Sequence, residues 1–174
     1  GALGSATVDF HSDLSYMPHP GTISLLQALE IPQEGGETQF CDCRAAYDAM
    51  SETQKTHLGS LRAVHRHPVA EQNARGVVSH PIVRTHPETG RRTLYVSPHL
   101  TSHVVGLDEA DSAQLLNEIY AHMDQPQFIW TQRWAVGDLL MWDNRPTMHR
   151  RLGFPDEQRR VMKRTQVFGD EPVL

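Results

Sequence analysis

Apolar runs of strand length, each cut short by Pro or Gly, set the strongest limit on what this chain can fold into. Thr22-Ile-Ser-Leu-Leu-Gln-Ala-Leu29 is stopped by Pro32 and Gly35-Gly36, and the chain re-enters an extended run at Thr38 to Cys43. His80 to Thr85 and Thr93 to Val96 flank Pro87-Glu-Thr-Gly90, while Phe128 to Trp134 and Asp138 to Trp142 flank Val136-Gly137-Asp138. Both read as hairpin turns. Val161 to Phe168 forms a last strand. Helical signals are fewer. Asp108 is an N-cap for a helix to about Met123, in which Leu115, Leu116, Ile119, Tyr120 and Met123 recur at helical spacing. Arg44 to Met50 favours a shorter helix, and Ser51-Glu-Thr-Gln54 is a capping box that starts another turn. Many short strands with peripheral helices predict a mainly β fold, as a sandwich, jelly roll or barrel.

The 174 residues suggest one domain spanning residues 1–174, long enough to bury a core. No run of about 18 apolar residues suggests a membrane span. A net charge of -5 and the lack of a long basic run give no electrostatic footprint for nucleic acid. The clusters Arg91-Arg92 and Arg159 to Arg164 therefore need another explanation. Cys41 and Cys43 lie too close in sequence for an unstrained disulfide, and no second Cys pair completes a zinc site. A reducing compartment fits, and the expected location is cytoplasmic. The N-terminal residues show no signal-peptide pattern and read as the interior of a longer protein. Oligomeric state is left open.

Three His-x-acid pairs stand out: His11/Asp13, His86/Glu88 and His122/Asp124. Chance alone yields about one such pair in a chain with 11 His and 21 acidic residues, so the motif by itself proves nothing. Local structure separates them. Residues i and i+2 share a face of a strand, whereas in a helix they diverge by about 200°. His122/Asp124 ends the strongest helix, and His86/Glu88 falls in an exposed turn around Pro87. Only His11/Asp13 sits among strand formers, and a metal there would need a third ligand. His149 is a candidate, because the segment from Leu139 runs an apolar strand into a polar turn that presents it at a strand end. His19, His65, His67 and His103 are read as solvated or hydrogen-bonded.

Trp142-Asp-Asn-Arg145 followed by His149, with His11-x-Asp13 upstream, resembles the taurine dioxygenase and 2,4-dichlorophenoxyacetate dioxygenase (TauD/TfdA) family of Fe(II)- and 2-oxoglutarate-dependent oxygenases. The resemblance implies a double-stranded β-helix, or jelly roll, with His11, Asp13 and His149 as Fe(II) ligands. Two imidazoles and one carboxylate on one face leave room for a bidentate 2-oxo acid and O₂. An Arg eleven residues after the distal His, here Arg160, and a Thr 27 residues after the first His, here Thr38 in Gly35-Gly-Glu-Thr38, are implied to bind the far carboxylate of 2-oxoglutarate. Arg164 matches the position that holds an anionic substrate group, and the region containing His99 and Leu100 is implied to line the substrate pocket.

The last strand supports this independently. Arg160, Met162 and Arg164 share one face of an extended segment, and inward guanidinium groups require anions. Trp142 is expected to pack in the core or beside the iron ligands, and Arg145 to pair with a carboxylate in a turn that aims His149. The implied reaction hydroxylates an unactivated C-H bond of a small organic anion, such as a sulfonate, sulfate ester or aryloxyacetate, and releases succinate and CO₂. A non-catalytic jelly-roll module that binds a small anion is the alternative, and a zinc hydrolase built on the same triad ranks last. Family members usually carry more chain before the first ligand and a longer loop near 68–79, so both are expected to be missing here.

Overall fold

The computed structural model describes residues 4–169. Its strands are β1 (Val8–His11), β2 (Gly21–Glu30), β3 (Thr38–Asp42), β4 (Arg62–His65), β5 (Val78–Pro81), β6 (Val83–Thr85), β7 (Arg92–Leu94), β8 (Thr101–Val104), β9 (Ile129–Gln132), β10 (Leu139–Asp143), β11 (Thr147–Arg151) and β12 (Val161–Phe168). The helices are α1 (Cys43–Asp48), α2 (Glu52–Gly59) and α3 (Glu109–Met123).

Two sheets form the frame: β1-β11-β3-β9 and β10-β2-β12. Consecutive strands alternate between them, β1 to β2 to β3 and again β9 to β10 to β11 to β12, so the chain winds as a double-stranded β-helix, the jelly roll. Smaller sheets β5-β4-β8 and β6-β7 complete the strand set among the described residues.

Strand alternation divides core from site. In the first sheet Phe10, Cys41 and Met148 face away from the second sheet into a core built with Ala46, Tyr47, Leu116, Ile119 and Met123 of α1 and α3. Their chain neighbours His11, Phe40 and His149 face the other way. Leu116, Ile119 and Met123 are each at most 5% exposed, and burial of that order stabilises by about 1.5–3 kcal/mol per side chain. Asp108 caps α3 by accepting from the Asp111 amide, and Ser51 and Gln54 complete the capping box of α2. No helix among the described residues is long and apolar enough to cross a membrane. Cys41 and Cys43 are buried free thiols, and Cys43 Sγ donates to the Cys41 carbonyl at 3.6 Å.

Four local expectations change. The β6-β7 hairpin forms, but β9 and β10 do not pair across Gly137. Gly137 takes φ +96° and Asp138 accepts from Ala135 N and Gln132 Nε2, which makes a tight reversal that carries the chain into the opposite sheet. β1 ends at His11, so Asp13 lies in a turn beyond the strand and the pleat does not align the pair. His149 sits mid-strand in β11, opposite His11 and Phe40, where expectation placed it at a strand end. His86 is 7% exposed, because its ring reaches Asp143, 57 residues away in sequence, and does not stay in solvent.

Candidate metal and anion site

The side chains of His11, Asp13 and His149 offer ligand atoms that all lie within 4.8 Å of one another. Nε2 of His11 and Nε2 of His149 lie 3.8 and 3.9 Å from Oδ1 of Asp13. The two rings are 4.3 Å apart between centroids. Nδ1 of His11 is 2.8 Å from the Asp9 carbonyl, which fixes the proton on Nδ1 and leaves the Nε2 lone pair facing Asp13. Burial holds both imidazoles below their usual pKa. Burial also pushes the Asp13 carboxyl up, but the attraction of the two imidazoles at a pH low enough to protonate them, the Ser24 hydroxyl and Arg164 outweigh it and keep the carboxyl below its usual range, so it is ionised where both imidazoles are neutral. Neutral imidazoles beside an ionised carboxylate are the ligand-ready state, and this donor set suits a non-haem Fe(II) ion.

A hydrogen-bonded frame surrounds Asp13. Ser24, fully buried on β2, donates to its Oδ2 at 2.6 Å. Asn144 donates to Ser24 Oγ at 2.8 Å and accepts from the Asp13 amide at 3.3 Å and from Trp142 Nε1 at 3.0 Å. Leu14 follows with φ +59°, a left-handed conformation that costs about 1–2 kcal/mol for a residue with a Cβ. The turn is held from behind by two buried imidazoles. Nδ1 of His65 is 3.1 Å from the Ser15 hydroxyl, and Nε2 of His80 is 2.9 Å from the Ser15 carbonyl. Trp142 packs edge-on at 4.8 Å from the His149 ring and 5.2 Å from Phe40.

Along the inner face, the next row holds cations. Thr38 of β3 pairs in register with Arg151 of β11, just as Phe40 pairs with His149. Arg160, which precedes β12, reaches across so that its Nη2 lies 3.4 Å from Thr38 Oγ1 while its Nε donates to the Gly36 carbonyl at 3.0 Å. Trp134 Nε1 donates to the same Thr38 oxygen at 3.0 Å, which leaves the Thr38 proton free to donate to a ligand. Gly36 is required here: its φ is +70°, and a Cβ would come within 2.9 Å of Pro32 Cγ and 3.1 Å of Arg160 Cδ. Burial, with Arg151 nearby, lowers Arg160 to about 10, so it stays charged at neutral pH.

Arg164, 48% exposed at its side chain, brings Nη1 to 3.4 Å from Asp13 Oδ1. The His99 ring lies 5.5 Å from that of His11, whereas Leu100 is 3% exposed. Arg145 pairs with Asp143 at 2.7 Å and Glu88 at 2.9 Å, tying down the turn before β11. His122 contacts the Ala46 carbonyl and Asp124 pairs with Arg150, so that pair shares no ligand. The sequence places Asn144 only in the turn that aims His149, and gives Ser24 and Trp134 no role at the site.

A family model described as "Taurine catabolism dioxygenase TauD, TfdA family" matches residues 2–166. The alpha-ketoglutarate-dependent 2,4-dichlorophenoxyacetate dioxygenase of Cupriavidus pinatubonensis is 39% identical over 176 residues, covering 94% of this chain and 61% of that protein. Its namesake in Burkholderia sp. (strain RASC) is 38% identical, with coverage of 92% and 58%. The chain thus spans about three fifths of the length of these relatives. The crystal structure of AAD-2 in complex with Mn(II) and N-oxalylglycine matches at a TM-score of 0.88 and 34% identity, covering 95% of this chain and 70% of that one.

Proposed function

The chain belongs to the TauD/TfdA dioxygenase family, and from that premise we propose that it hydroxylates an unactivated C-H bond of a small organic anion, using Fe(II), 2-oxoglutarate and O₂. The observation that carries this reading is the juxtaposition of the two inner-face rows. The His11, Asp13 and His149 cluster lies one row from Thr38 and Arg160. Two residues along a strand span roughly 6.6 Å, about the length of a five-carbon diacid. The co-substrate, which is alpha-ketoglutarate by its other name, fits with its 2-oxo acid end at the triad and its far carboxylate on Arg160 and Thr38.

His11, Asp13 and His149 hold the iron. When bound, Fe(II) with 2-oxoglutarate and O₂ supplies the oxidative decarboxylation that yields succinate, CO₂ and the hydroxylated product. The chain's own residues position the reactants. Arg160 offers guanidinium N-H groups to the far carboxylate, and Thr38 adds its hydroxyl proton. Arg164 stands open beside Asp13 and takes the anionic group of the substrate, while His99 flanks it from the side of His11. Phe40 and Trp142 form an apolar wall behind His149 and keep water from it. We read the described residues as a single catalytic domain.

The two relatives named as 2,4-dichlorophenoxyacetate dioxygenases support aryloxyacetates as the first substrates to try, ahead of sulfonates and sulfate esters. The test is a screen of these anions for succinate release in air with Fe(II) and 2-oxoglutarate supplied. One class is expected to raise succinate well above the anion-free rate, and His149→Ala to abolish the rise. Anion binding with no succinate from any member would instead favour a small-anion-binding module.

A further inference from the structure

Resting on the reading of the triad as a metal centre, we propose that Ser24 and Asn144 are positioning residues that keep one oxygen of Asp13 out of the metal's coordination sphere, reserving a site for the 2-oxo acid. The contacts form a closed circuit. Ser24 Oγ donates to Asp13 Oδ2 at 2.6 Å, Asn144 Nδ2 donates to Ser24 Oγ at 2.8 Å, and the Asp13 amide donates back to Asn144 Oδ1 at 3.3 Å. Because the Ser24 oxygen accepts from Asn144, its own proton is committed to Oδ2. Trp142 Nε1 donates to Asn144 Oδ1 at 3.0 Å and fixes the amide the right way round. Ser24 and Asn144 are 0% and 1% exposed, so water does not compete for these partners.

The consequence is directional. Oδ1 is the oxygen that faces Nε2 of both imidazoles, and Oδ2 points away into the circuit. A six-coordinate ion with two imidazoles and one carboxylate oxygen keeps three positions; a carboxylate using both oxygens would occupy one of them, and the bidentate 2-oxo acid would then compete with that oxygen and bind more weakly. The circuit also spans the fold. Ser24 comes from β2 of the second sheet, and Asn144 from the turn between β10 and β11, five residues before His149. It therefore ties the carboxylate ligand to the strand that carries the distal imidazole.

The test uses Mn(II), which needs no protection from air, in two titrations: Mn(II) into the protein followed by electron paramagnetic resonance of the free ion, then 2-oxoglutarate into the Mn(II)-loaded protein by calorimetry. Ser24→Ala deletes one hydroxyl and leaves the volume of a small buried residue almost unchanged. It is expected to bind Mn(II) within about threefold of wild type, because the freed Oδ2 can itself coordinate the ion, but 2-oxoglutarate at least about tenfold more weakly, the scale of one hydrogen bond to a charged group. Asn144→Ala breaks the circuit from its other side and is expected to give the same split, which keeps the test alive if one variant fails to fold. A merely structural role would weaken both titrations together, and that result, or wild-type behaviour in both, overturns the proposal. Failure of the wild-type protein to bind Mn(II) would instead overturn the metal-centre reading beneath it.

Discussion

Acidification is expected to destabilise the fold through His65 and His80, the two imidazoles that brace the turn after Asp13. They are 2% and 3% exposed. Burial lowers His80 from 6.5 to about 4, aided by the nearby Arg84 and Arg62 and opposed by its bond to the Ser15 carbonyl. Burial, with the neighbouring His80, lowers His65 to about 3. A depressed imidazole pKa means that the unfolded chain takes up its proton first as pH falls. Stability is therefore complete above the unfolded value of 6.5 and lost as pH falls from there toward the folded values. From pH 7 to pH 5 the loss is about 2 kcal/mol for each histidine. The assay is urea unfolding at pH 7, 6 and 5 for the wild type and for His80→Gln, which keeps a donor for Ser15 but does not titrate. The variant is expected to be less stable at pH 7 yet to lose about 2 kcal/mol less by pH 5. Parallel pH profiles for the two proteins would refute the reasoning, because burial, the larger cause of the His65 shift, is the same in both.

Three further perturbations probe the anion row and the turn before β11. Gly36→Ala forces a Cβ against Pro32 and Arg160 at positive φ; it should destabilise the protein by about 1–2 kcal/mol and weaken 2-oxoglutarate binding in calorimetry. Trp134→Phe removes the donor that occupies the Thr38 oxygen, and the co-substrate Kd should rise several-fold, for a bond worth about 1 kcal/mol, with little change in Tm. Arg145→Met strips Asp143 and Glu88 of their cation. A loss of about 1–3 kcal/mol in urea unfolding is expected, because Asp143 keeps a partly buried charge.

Much of the fold was legible because its signals are local. The capping box at Ser51, the Asp108 cap and the Gly90 hairpin depend on residues within a few positions of one another, and each appears as read. Sheet membership is not local. Turn chemistry at Gly137 says that the chain reverses, but not that it enters the other sheet. The same limit applies to the site. The sequence marks His11 and Asp13 as strand-face neighbours, yet it is a turn strained at Leu14 that brings Asp13 to His11. Ser24 and Asn144 meet across 120 residues, and Trp134 and Thr38 across 96, so no spacing rule could pair them. Asn144 was in view only as part of the turn that aims His149. Its two-sided amide makes it an anchor, a property of the side chain that appears once donors and acceptors can be counted.

His11, Asp13 and His149 are proposed to hold Fe(II) with positions left for 2-oxoglutarate. Anaerobic addition of Fe(II) and 2-oxoglutarate, followed by visible absorption, tests it most directly. A metal-to-ligand charge-transfer band that saturates near one Fe(II) per chain and disappears in His149→Ala is the expected result. No band in the wild type, or a band that survives in His149→Ala, would contradict the account.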